Sequence, residues 1–445
     1  MPASRRAAPS TRSKKANSTT AAAKAAAPAK TAEQIAQEEH DALVTSASKL
    51  IHAVTYSPVA EVKRLLKEGA PTWYQEESMG WNCLHFAAER GDADIVKACL
   101  ASGAVWNAMD FLGRTPGDIS LSINDEKSYI MIRNEGIRTE MLHHVLQAAK
   151  GDESMEEEDN TEGANPTKTE GQTSDKPGES STSHMTSTGI TLRHEDKTSA
   201  GDNLEFMRSK LVWEMGDDGK ERVCDADGNG VMMGWEEPLM KEHVRLMCNA
   251  HPKMQEGATE GLNILNIGYG LGIIDDMFQG LTPRPISHTV IEGHPDVIQH
   301  IKKRGFDQKP GVRILEGRWQ DWCKDDKLED LLKGTEESGG GFDVVFIDTF
   351  AEGYEELKDF FDVLPNILAS PESVFSFWNG LGATNPTIYD VASNLAELHL
   401  DDVGMKTEWH DVIVDESVAE ATWKGIKRKY WDLRVYKLPI ATMNI

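Results

Sequence analysis

Cysteine is scarce and without pattern in this sequence of 445 residues. Its five cysteines are scattered, and no two of them have the CxxC spacing that is typical of zinc ligands. We therefore expect a reduced, intracellular protein without a structural zinc site. Long apolar runs are missing as well. None approaches the roughly 18 residues that a membrane-spanning helix requires, so the sequence predicts a soluble protein.

Basic residues are too few to balance the acidic ones. The chain has 47 lysines and arginines against 73 aspartates and glutamates, a formal net charge of −26. A surface this acidic repels phosphate backbones, which argues against nucleic acid as the main ligand and favours arginine-rich or lysine-rich protein partners. Hydrophobic residues make up only 39%, so we expect folded domains diluted by unfolded stretches.

Residues 1–40 are predicted to form a disordered basic tail. The first 30 residues contain no acid and no Leu, Ile, Val or Phe, so they cannot build a core. Their basic clusters also fit a nuclear localisation signal, and their acid-free composition fits a transit peptide. The missing apolar face disfavours a transit peptide, and we expect a protein of the cytoplasm and nucleus.

Residues 41–150 contain an internal repeat. The stretch from Gly80 to Gly91 reads GWNCLHFAAERG, and the related Gly113-Arg114-Thr115-Pro116 begins 33 residues after Gly80. This resembles an ankyrin array with one good central unit and a degenerate unit on each side, whose outer faces meet water. Two roles stay open for this small all-α domain: a stabilising appendage, or a surface that binds protein partners.

Residues 151–200 are predicted to be a flexible acidic linker. The run EEED at residues 156–159 leads into Ser, Thr, Gly and Pro, with almost no aliphatic or aromatic residues. We expect this linker to mark a domain boundary and to connect the ankyrin module flexibly to the second domain.

Residues 201–445 have the pattern of an α/β domain, in which helices cover both faces of a parallel sheet. Strands are predicted at Leu262–Ile267, Thr289–Glu292, Val312–Glu316, Asp343–Asp348, Val374–Trp378, Asp411–Val414 and Asp432–Tyr436. Helices are predicted from Pro238 and near 271–280, 295–304, 355–368 and 387–400. In such a fold, ligands bind at the carboxyl ends of the strands.

A glycine-rich turn follows the first predicted strand of this sheet. Gly268–Ile273 reads GYGLGI, whereas the nicotinamide fingerprint GxGxxG requires glycine at position 273. Such a turn lets a ligand approach the backbone at a helix N-terminus. The next strand ends in Glu292, where a carboxylate can accept both ribose hydroxyls of an adenosine ligand.

The third and fourth strands carry further polar groups at the same edge of the sheet. Trp319 and Gln320 offer an aromatic surface and a hydrogen-bonding group for adenine, and Asp348 ends the fourth strand. Asp343 begins that strand and belongs to the opposite edge, so we discount it. This order of parts resembles the S-adenosylmethionine-dependent methyltransferases of the Rossmann-like class I fold.

One segment narrows the resemblance. Val231–Met240 reads VMMGWEEPLM and is similar to the VMMxWExPxM signature of guanidinoacetate N-methyltransferase. Together with Phe346–Phe350, it resembles the fungal protein arginine methyltransferases that act on the internal δ nitrogen and carry N-terminal ankyrin repeats. The THW loop of enzymes that methylate the terminal nitrogens is missing. The resemblance implies a protein substrate, with a ribosomal protein as a candidate, and partners at the ankyrin repeats.

The resemblance also implies the site residues. Its cofactor contacts, for S-adenosyl-L-methionine, fall on Phe206, Met240, Gly268, Tyr269, Gly270, Leu271, Gly272, Ile273, Glu292, Gly293, His294, Trp319, Gln320 and Asp348. Its guanidine-binding catalytic acids fall on Glu236 and Asp348. Two carboxylates can bind the N–H groups of a guanidinium, hold the δ nitrogen toward the methyl donor and accept its proton. No metal is expected in this chemistry.

Two departures from the small-molecule family separate the alternatives. Gly234 replaces an arginine, and Asn379–Gly382 replaces a hydroxyl-rich segment that binds the carboxylate of guanidinoacetate. We interpret both as weakening recognition of a small acid and opening the site to a peptide. A small-molecule guanidine methyltransferase and a catalytically silent ankyrin adaptor remain the alternatives.

A calcium loop competes for part of the signature segment. Residues 225–236 satisfy the pattern DxDxNGx5E, which requires a helix running directly into the loop. Since the preceding residues resemble strands, we interpret this stretch as a turn between hairpin strands. His243, His251 and His288 have no ligand spacing and are interpreted as structural residues.

Overall fold

The computed structural model describes residues 31–155, 203–255, 260–336, 340–415 and 421–444. Most of the predicted basic tail and linker lies outside these ranges. The first helix begins at Ala32, where the Thr31 side chain caps it, so the predicted tail is too long by residues 32–40. The sixth helix continues to Met155, beyond the predicted start of the linker.

Six helices form the N-terminal module. They are α1 (Ala32–Tyr56), α2 (Val59–Lys67), α3 (Cys83–Arg90), α4 (Ala93–Ala101), α5 (Pro116–Ser122) and α6 (Glu126–Met155). In the central unit, Asn82 caps α3 by accepting from the backbone N–H groups of Leu84 and His85, and Gly91 ends the helix with a φ of 70°. The helices pair as three successive units, as the repeat pattern predicts.

The C-terminal domain contains two sheets. A small antiparallel sheet consists of β1 (Val212–Met215), β2 (Glu221–Cys224) and β3 (Gly230–Met233). The large sheet has the strand order β6-β5-β4-β7-β8-β10-β9. Its strands are β4 (Asn263–Ile267), β5 (Ser287–Glu292), β6 (Val312–Glu316), β7 (Val344–Ile347), β8 (Val374–Phe377), β9 (Met405–Ile413) and β10 (Val435–Met443).

The first five strands of the large sheet are parallel, and β10 runs antiparallel to both β8 and β9. All residues of β4, β5, β7 and β8 are buried, because helices cover both faces of the sheet. Two hydrophobic cores, one against each face, follow from this arrangement. The predicted α/β fold, with a Rossmann-like, mostly parallel sheet preceded by a small all-α domain, is confirmed.

Nine helices of the described residues belong to this domain. They are α7 (Asn203–Arg208), α8 (Glu237–Ala250), α9 (Ile273–Gln279), α10 (Pro295–Arg304), α11 (Trp319–Trp322), α12 (Asp325–Leu331), α13 (Tyr354–Phe361), α14 (Leu364–Ile367) and α15 (Pro386–Asp402). The helix predicted at 355–368 is two helices, because Pro365 starts a new one. Single 3-10 turns span Gly234–Glu236, Pro252–Met254 and Phe306–Gln308.

The last two strands were predicted too short or out of place. β9 spans Met405–Ile413 rather than 411–414, and β10 spans Val435–Met443 rather than 432–436. β9 lies at the edge of the sheet, and its polar, partly exposed residues weaken the apolar signal of a strand. In β10, Pro439 has the same effect.

The two modules pack directly against each other. Val391 and Leu395 of α15 share a hydrophobic core with residues of the repeats such as Trp106 and Ile132. The modules are therefore held together, because separating them would expose this shared apolar surface to water. Among the described residues, no helix is both long and apolar enough to cross a membrane.

Candidate active site

A cavity of about 410 Å³ lies at the carboxyl edge of the parallel strands. Twelve of the fifteen predicted site residues line it: Phe206, Glu236, Met240, Gly268, Tyr269, Gly270, Leu271, Ile273, Glu292, Gly293, Trp319 and Asp348. The other three, Gly272, His294 and Gln320, are not part of its wall. The two groups that the sequence separates, the glycine turn and the acids, thus face one common space.

The glycine turn at the end of β4 packs closely against the backbone at the end of β7. The backbone N–H of Asp348 donates to the carbonyl of Ile267 at 2.8 Å. A Cβ on Gly268 would lie 1.9 Å from the carbonyl oxygen of Asp348, so only glycine fits there. A Cβ on Gly270 would meet only Met232, at 3.7 Å, so this glycine leaves open space on the cavity side.

Gly272 has a different role from the other two glycines. It caps α9 in a left-handed conformation with a φ of 73°. A Cβ there would lie 2.4 Å from the Tyr269 ring and 2.6 Å from the guanidinium of Arg304. Its requirement for glycine comes from this left-handed backbone and from packing behind the turn, and not from contact with the cavity.

Glu292 is held by backbone donors. One carboxylate oxygen accepts from the N–H of Tyr269 at 2.9 Å, and the other accepts from the N–H of His294 at 2.7 Å. Burial raises the pKa of Glu292, and these N–H groups act against that rise. Backbone N–H groups of Gly270 and Gly293 also act against the rise, and the carboxylate that they hold lines the cavity, where hydroxyl donors can reach it.

His294 and Gln320 act behind the cavity wall. The His294 ring caps α10 by accepting from Asp296 N–H at 3.1 Å, and its other nitrogen lies 3.1 Å from the carbonyl oxygen of Phe206. Gln320 donates to Glu352 at 2.7 Å. Both residues therefore position other parts of the wall rather than face a ligand directly.

Glu352 is a wall residue that the sequence analysis missed. Its carboxylate accepts from the indole N–H of Trp319 at 3.0 Å and from the hydroxyl of Thr349 at 2.6 Å. These bonds fix the Trp319 ring beside the glycine turn. The sequence signal that could have identified Glu352 is its place four residues after Asp348, in the loop that follows β7.

Glu236 and Asp348 form the acidic part of the cavity. Glu236 precedes α8 and is 8% exposed, and Asp348 directly follows β7 and is half-buried. Burial raises the pKa of Glu236, and the nearby Asp348 carboxylate raises it further. Burial also raises the pKa of Asp348 to about 7, with a further contribution from Glu292. A cationic ligand would relieve this repulsion and favour the ionised acids.

Tyr430 and a group of tryptophans surround Glu236. The Tyr430 hydroxyl donates to the Glu236 carboxylate at 2.5 Å, which acts against the rise in the Glu236 pKa. The ring centroids of Trp378 and Trp431 lie 6.2 and 6.0 Å from that of Trp235. Of these residues, Trp378 and Tyr430 line the cavity, and no sequence motif pointed to either.

Of the two departures from the small-molecule family, Gly234 does not open the site as predicted. A Cβ on Gly234 would lie 2.8 Å from the carbonyl oxygen of Glu221, so the small hairpin sheet fills the space of a longer side chain. The Asn379 amide is buried and donates to Tyr389 and Ser393, both at 3.0 Å. Gly380, Leu381 and Gly382 do line the cavity. Only this second segment shapes the wall.

The hairpin interpretation of residues 225–236 is confirmed. β2 and β3 pair on the two sides of the turn, where the calcium loop would require a preceding helix. The Asp225 carboxylate accepts from the N–H groups of Asp227 and Asn229, at 3.0 and 2.8 Å. It thus stabilises the turn itself.

The isolated histidines are structural. His243 is fully buried between the hydroxyls of Ser376 and Tyr436, each at 2.8 Å, and burial lowers its pKa to about 3. His288 contacts Asp275 at 3.0 Å inside the core. Asp343 is bonded to Lys253 at the opposite edge of the sheet, as predicted.

Comparisons with known proteins agree with this arrangement. Residues 79–111 match the ankyrin repeat family model. A Cryptococcus neoformans protein is 50% identical over 91% of this chain and 97% of its own length, and its name is protein arginine N-methyltransferase 2. Relatives with the same name are 35% identical in Neurospora crassa and 32% identical in Aspergillus oryzae, over 78% and 79% of this chain and 80% and 78% of their own lengths. The chain belongs to the fungal protein arginine N-methyltransferase 2 family.

Proposed function

We propose that this protein transfers a methyl group from S-adenosylmethionine to the δ nitrogen of arginine residues in a protein substrate. The observation that carries the proposal is the pair of acids, Glu236 and Asp348, facing the same cavity as the glycine turn. The names of the relatives support protein arginine methylation without specifying the nitrogen. The δ position rests on the resemblance of Val231–Met240 and Phe346–Phe350 to the δ-specific enzymes.

The glycine-turn end of the cavity fits the cofactor. The volume of about 410 Å³ is in the range of small-molecule sites, and the open side of Gly270 lets a ligand approach the start of α9. Glu292 would accept from the ribose hydroxyls, and Phe206 and Trp319 would flank the adenine. When bound, S-adenosylmethionine supplies an electrophilic methyl group on a sulfonium.

The acidic end of the cavity fits a guanidinium. Arginine is protonated at every physiological pH and is a weak nucleophile, so it must be bound as a cation and oriented. Glu236 and Asp348 would each accept its N–H donors and hold the δ nitrogen toward the methyl donor. Tyr430 fixes the Glu236 carboxylate, and Trp378 contributes an aromatic surface to the cavity wall.

Asp348 is suited to remove the proton that the reaction releases. Methylation leaves the δ nitrogen with four bonds, and its proton must depart for the product to become a delocalised, singly charged guanidinium again. A pKa of about 7 lets the Asp348 carboxylate accept that proton and return it to solvent near neutral pH. Because Asp348 follows β7 beside the glycine turn, it is placed between the two ends of the cavity.

The substrate and location extend the proposal. The net charge of −26 favours a basic protein substrate, and a ribosomal protein agrees with the family resemblance. We propose that the enzyme acts in the cytoplasm and nucleus, and that its ankyrin repeats contact protein partners.

The test compares proteins from fungal cells that lack the gene, that express the wild type, or that express Glu236→Gln. Mass spectrometry of hydrolysates should show δ-monomethylarginine with the wild type alone. Loss of terminally methylated arginine instead would contradict the δ assignment. Activity of the purified enzyme on guanidinoacetate, without protein methylation, would favour the small-molecule alternative. Failure to bind S-adenosylmethionine in calorimetry would favour the silent adaptor.

A further inference from the structure

The third repeat holds the N-terminus of α15. The Asp118 carboxylate of α5 accepts from the Asn385 side-chain amide at 2.5 Å and from the Thr387 hydroxyl at 2.7 Å. The Thr387 backbone N–H also donates to it, at 3.2 Å. The Asn385 side-chain oxygen meanwhile caps α15 by accepting from Ile388 N–H at 3.0 Å. One asparagine therefore joins the repeat to the start of this helix.

The contact between the modules has no spare room. Gly117 and Gly136 lie in helices of the repeats where they face α15. A Cβ on Gly117 would lie 2.5 Å from Thr387 side-chain atoms, and one on Gly136 would lie 2.8 Å from Val391. Neither glycine has the positive φ that would explain it by backbone conformation. Both are explained by close packing against the catalytic domain.

A second connection joins the repeats to Asn379, which lies just before residues 380–384. The Tyr129 hydroxyl of α6 donates to Asp390 of α15, and Lys437 of β10 forms an ion pair with the same carboxylate. The carbonyl oxygen of Lys437 accepts from the Asn379 side-chain amide at 3.1 Å. Asn379 and Asn385 are thus both connected to the repeats, and they border residues 380–384.

Residues 380–384 line the cavity. They follow β8, which lies on one side of β4, whereas Glu292 ends β5 on the other side. Their neighbour Trp378 belongs to the aromatic group around Glu236. Displacing this segment would therefore change the part of the wall that faces the arginine, and leave the cofactor end in place.

We propose that the ankyrin module is a positioning element of the substrate site, with Asp118 as the positioning residue that fixes the wall segment 380–384 through Asn385 and Thr387. This inference rests on the proposed function, since it assigns the acidic end to arginine. It makes the repeats part of the enzyme's binding site for its substrate, in addition to any surface for partners. Separation of the modules would then weaken substrate binding before it weakens cofactor binding.

The test uses Gly117→Ala in the full-length chain. Alanine favours a helix over glycine, so a loss can be assigned to the contact with Thr387. Ribosomal proteins from cells that lack the gene serve as the methyl acceptor. We expect the apparent KM for these proteins to rise about tenfold. This is less than the roughly hundredfold loss of activity that a misplacement of a bound substrate by about 1 Å can cause. We expect the calorimetric Kd for S-adenosylmethionine and kcat to stay within about twofold of the wild-type values. This change is well below the roughly tenfold rise expected for KM.

Hydrogen exchange provides a readout that does not depend on the reaction. Amides of residues 380–387 should exchange faster in Gly117→Ala, whereas those of the glycine turn should not change. Thr387→Val, which removes one donor to Asp118 without adding bulk, should show a smaller effect in the same direction. Ser122→Ala is the control on the same helix, because its exposed hydroxyl bonds only within α5.

Three results would overturn the inference: unchanged exchange at 380–387, an unchanged KM, or equal losses of substrate and cofactor binding. The third result would mean that the repeats only stabilise the whole fold. Failure of the proposed function looks different. The wild type itself would then transfer no methyl group to arginine, while the exchange experiment would still decide whether the repeats hold the wall segment.

Discussion

The two ends of the cavity treat their carboxylates differently. Backbone N–H groups of Tyr269 and His294 hold Glu292 at the glycine-turn end. At the other end, Glu236 receives a side-chain hydroxyl and lies among tryptophans, and Asp348 has a pKa raised by burial and by Glu292. A carboxylate that backbone N–H groups hold in place is suited to accept hydrogen bonds from neutral hydroxyl groups. Two carboxylates that repel each other are suited to bind a ligand that carries positive charge.

The largest expected effect is at the acidic end. Asp348→Asn and Glu236→Gln keep the side-chain size but direct amide donors at the donors of the guanidinium. We expect single-turnover methyl transfer at saturating cofactor to fall by about a hundredfold or more, the usual cost of losing one electrostatic contact to a transition state. Asp348→Asn should also weaken cofactor binding, because Asp348 is proposed to contact both ligands.

Glu237→Gln is the matched control for Glu236→Gln. Glu237 is the next residue along the chain, its side chain is 59% exposed, and it pairs with Lys220 on the surface. We expect this variant to keep the wild-type rate. If Glu236→Gln also kept it, the assignment of Glu236 to the guanidine would be wrong.

The next effect is at the cofactor end. Glu292→Ala removes the proposed acceptor for two ribose hydroxyls, and a hydrogen bond to a charged group contributes about 1.5–3 kcal/mol. The calorimetric Kd for S-adenosylmethionine should therefore rise by about ten- to a hundredfold. The transfer rate at saturating cofactor should change much less than in Glu236→Gln. An unchanged Kd would remove Glu292 from the cofactor site and erase the contrast between the two ends.

The same two ends differ in how far the sequence could predict them. The glycine turn, Glu292 and Trp319 each follow a strand that has a clear apolar pattern, so the carboxyl edge of a parallel sheet brings them together. Tyr430 contacts Glu236 across 194 positions, from a segment with no recognisable motif. The Asp118–Thr387 bond joins modules across 269 positions. No local pattern specifies such contacts, since packing of whole domains creates them.

Some residues were correctly predicted to lie in or near the site, but the structure gives them different roles from the predicted ones. Gly268 was interpreted as making room for a ligand, but it makes room for the backbone of Asp348. His294 fell within the expected cofactor contacts, but it caps α10 and contacts the carbonyl oxygen of Phe206. A motif therefore identified the region of the site well, while the individual roles depended on packing that the sequence does not show.

The pH dependence sharpens the comparison further. In the proposed mechanism, Asp348 must be ionised to bind the guanidinium and to accept its proton, and its raised pKa keeps it protonated in acid. We expect kcat/KM for the protein substrate to increase about fivefold from pH 6 to pH 7, and to level off about one pH unit above the pKa. S-adenosylmethionine affinity should vary less over this range. A flat kcat/KM profile from pH 5.5 to about 8 would contradict the role of Asp348 in the free enzyme.

The smallest expected effect comes from Tyr430→Phe, which removes a donor to Glu236 and leaves the aromatic ring in place. The Tyr430 hydrogen bond lowers the pKa of Glu236, so its loss should raise that pKa further and protonate more of the acid. We expect kcat/KM at neutral pH to fall by about two- to tenfold, the range for one hydrogen bond of about 0.5–1.5 kcal/mol. The deficit should shrink as the pH rises, because the ionised form of Glu236 is then restored. Measured rates from pH 6 to about 9 check this. A deficit that stays constant across the profile would mean that Tyr430 acts by orienting Glu236 rather than by favouring its charge.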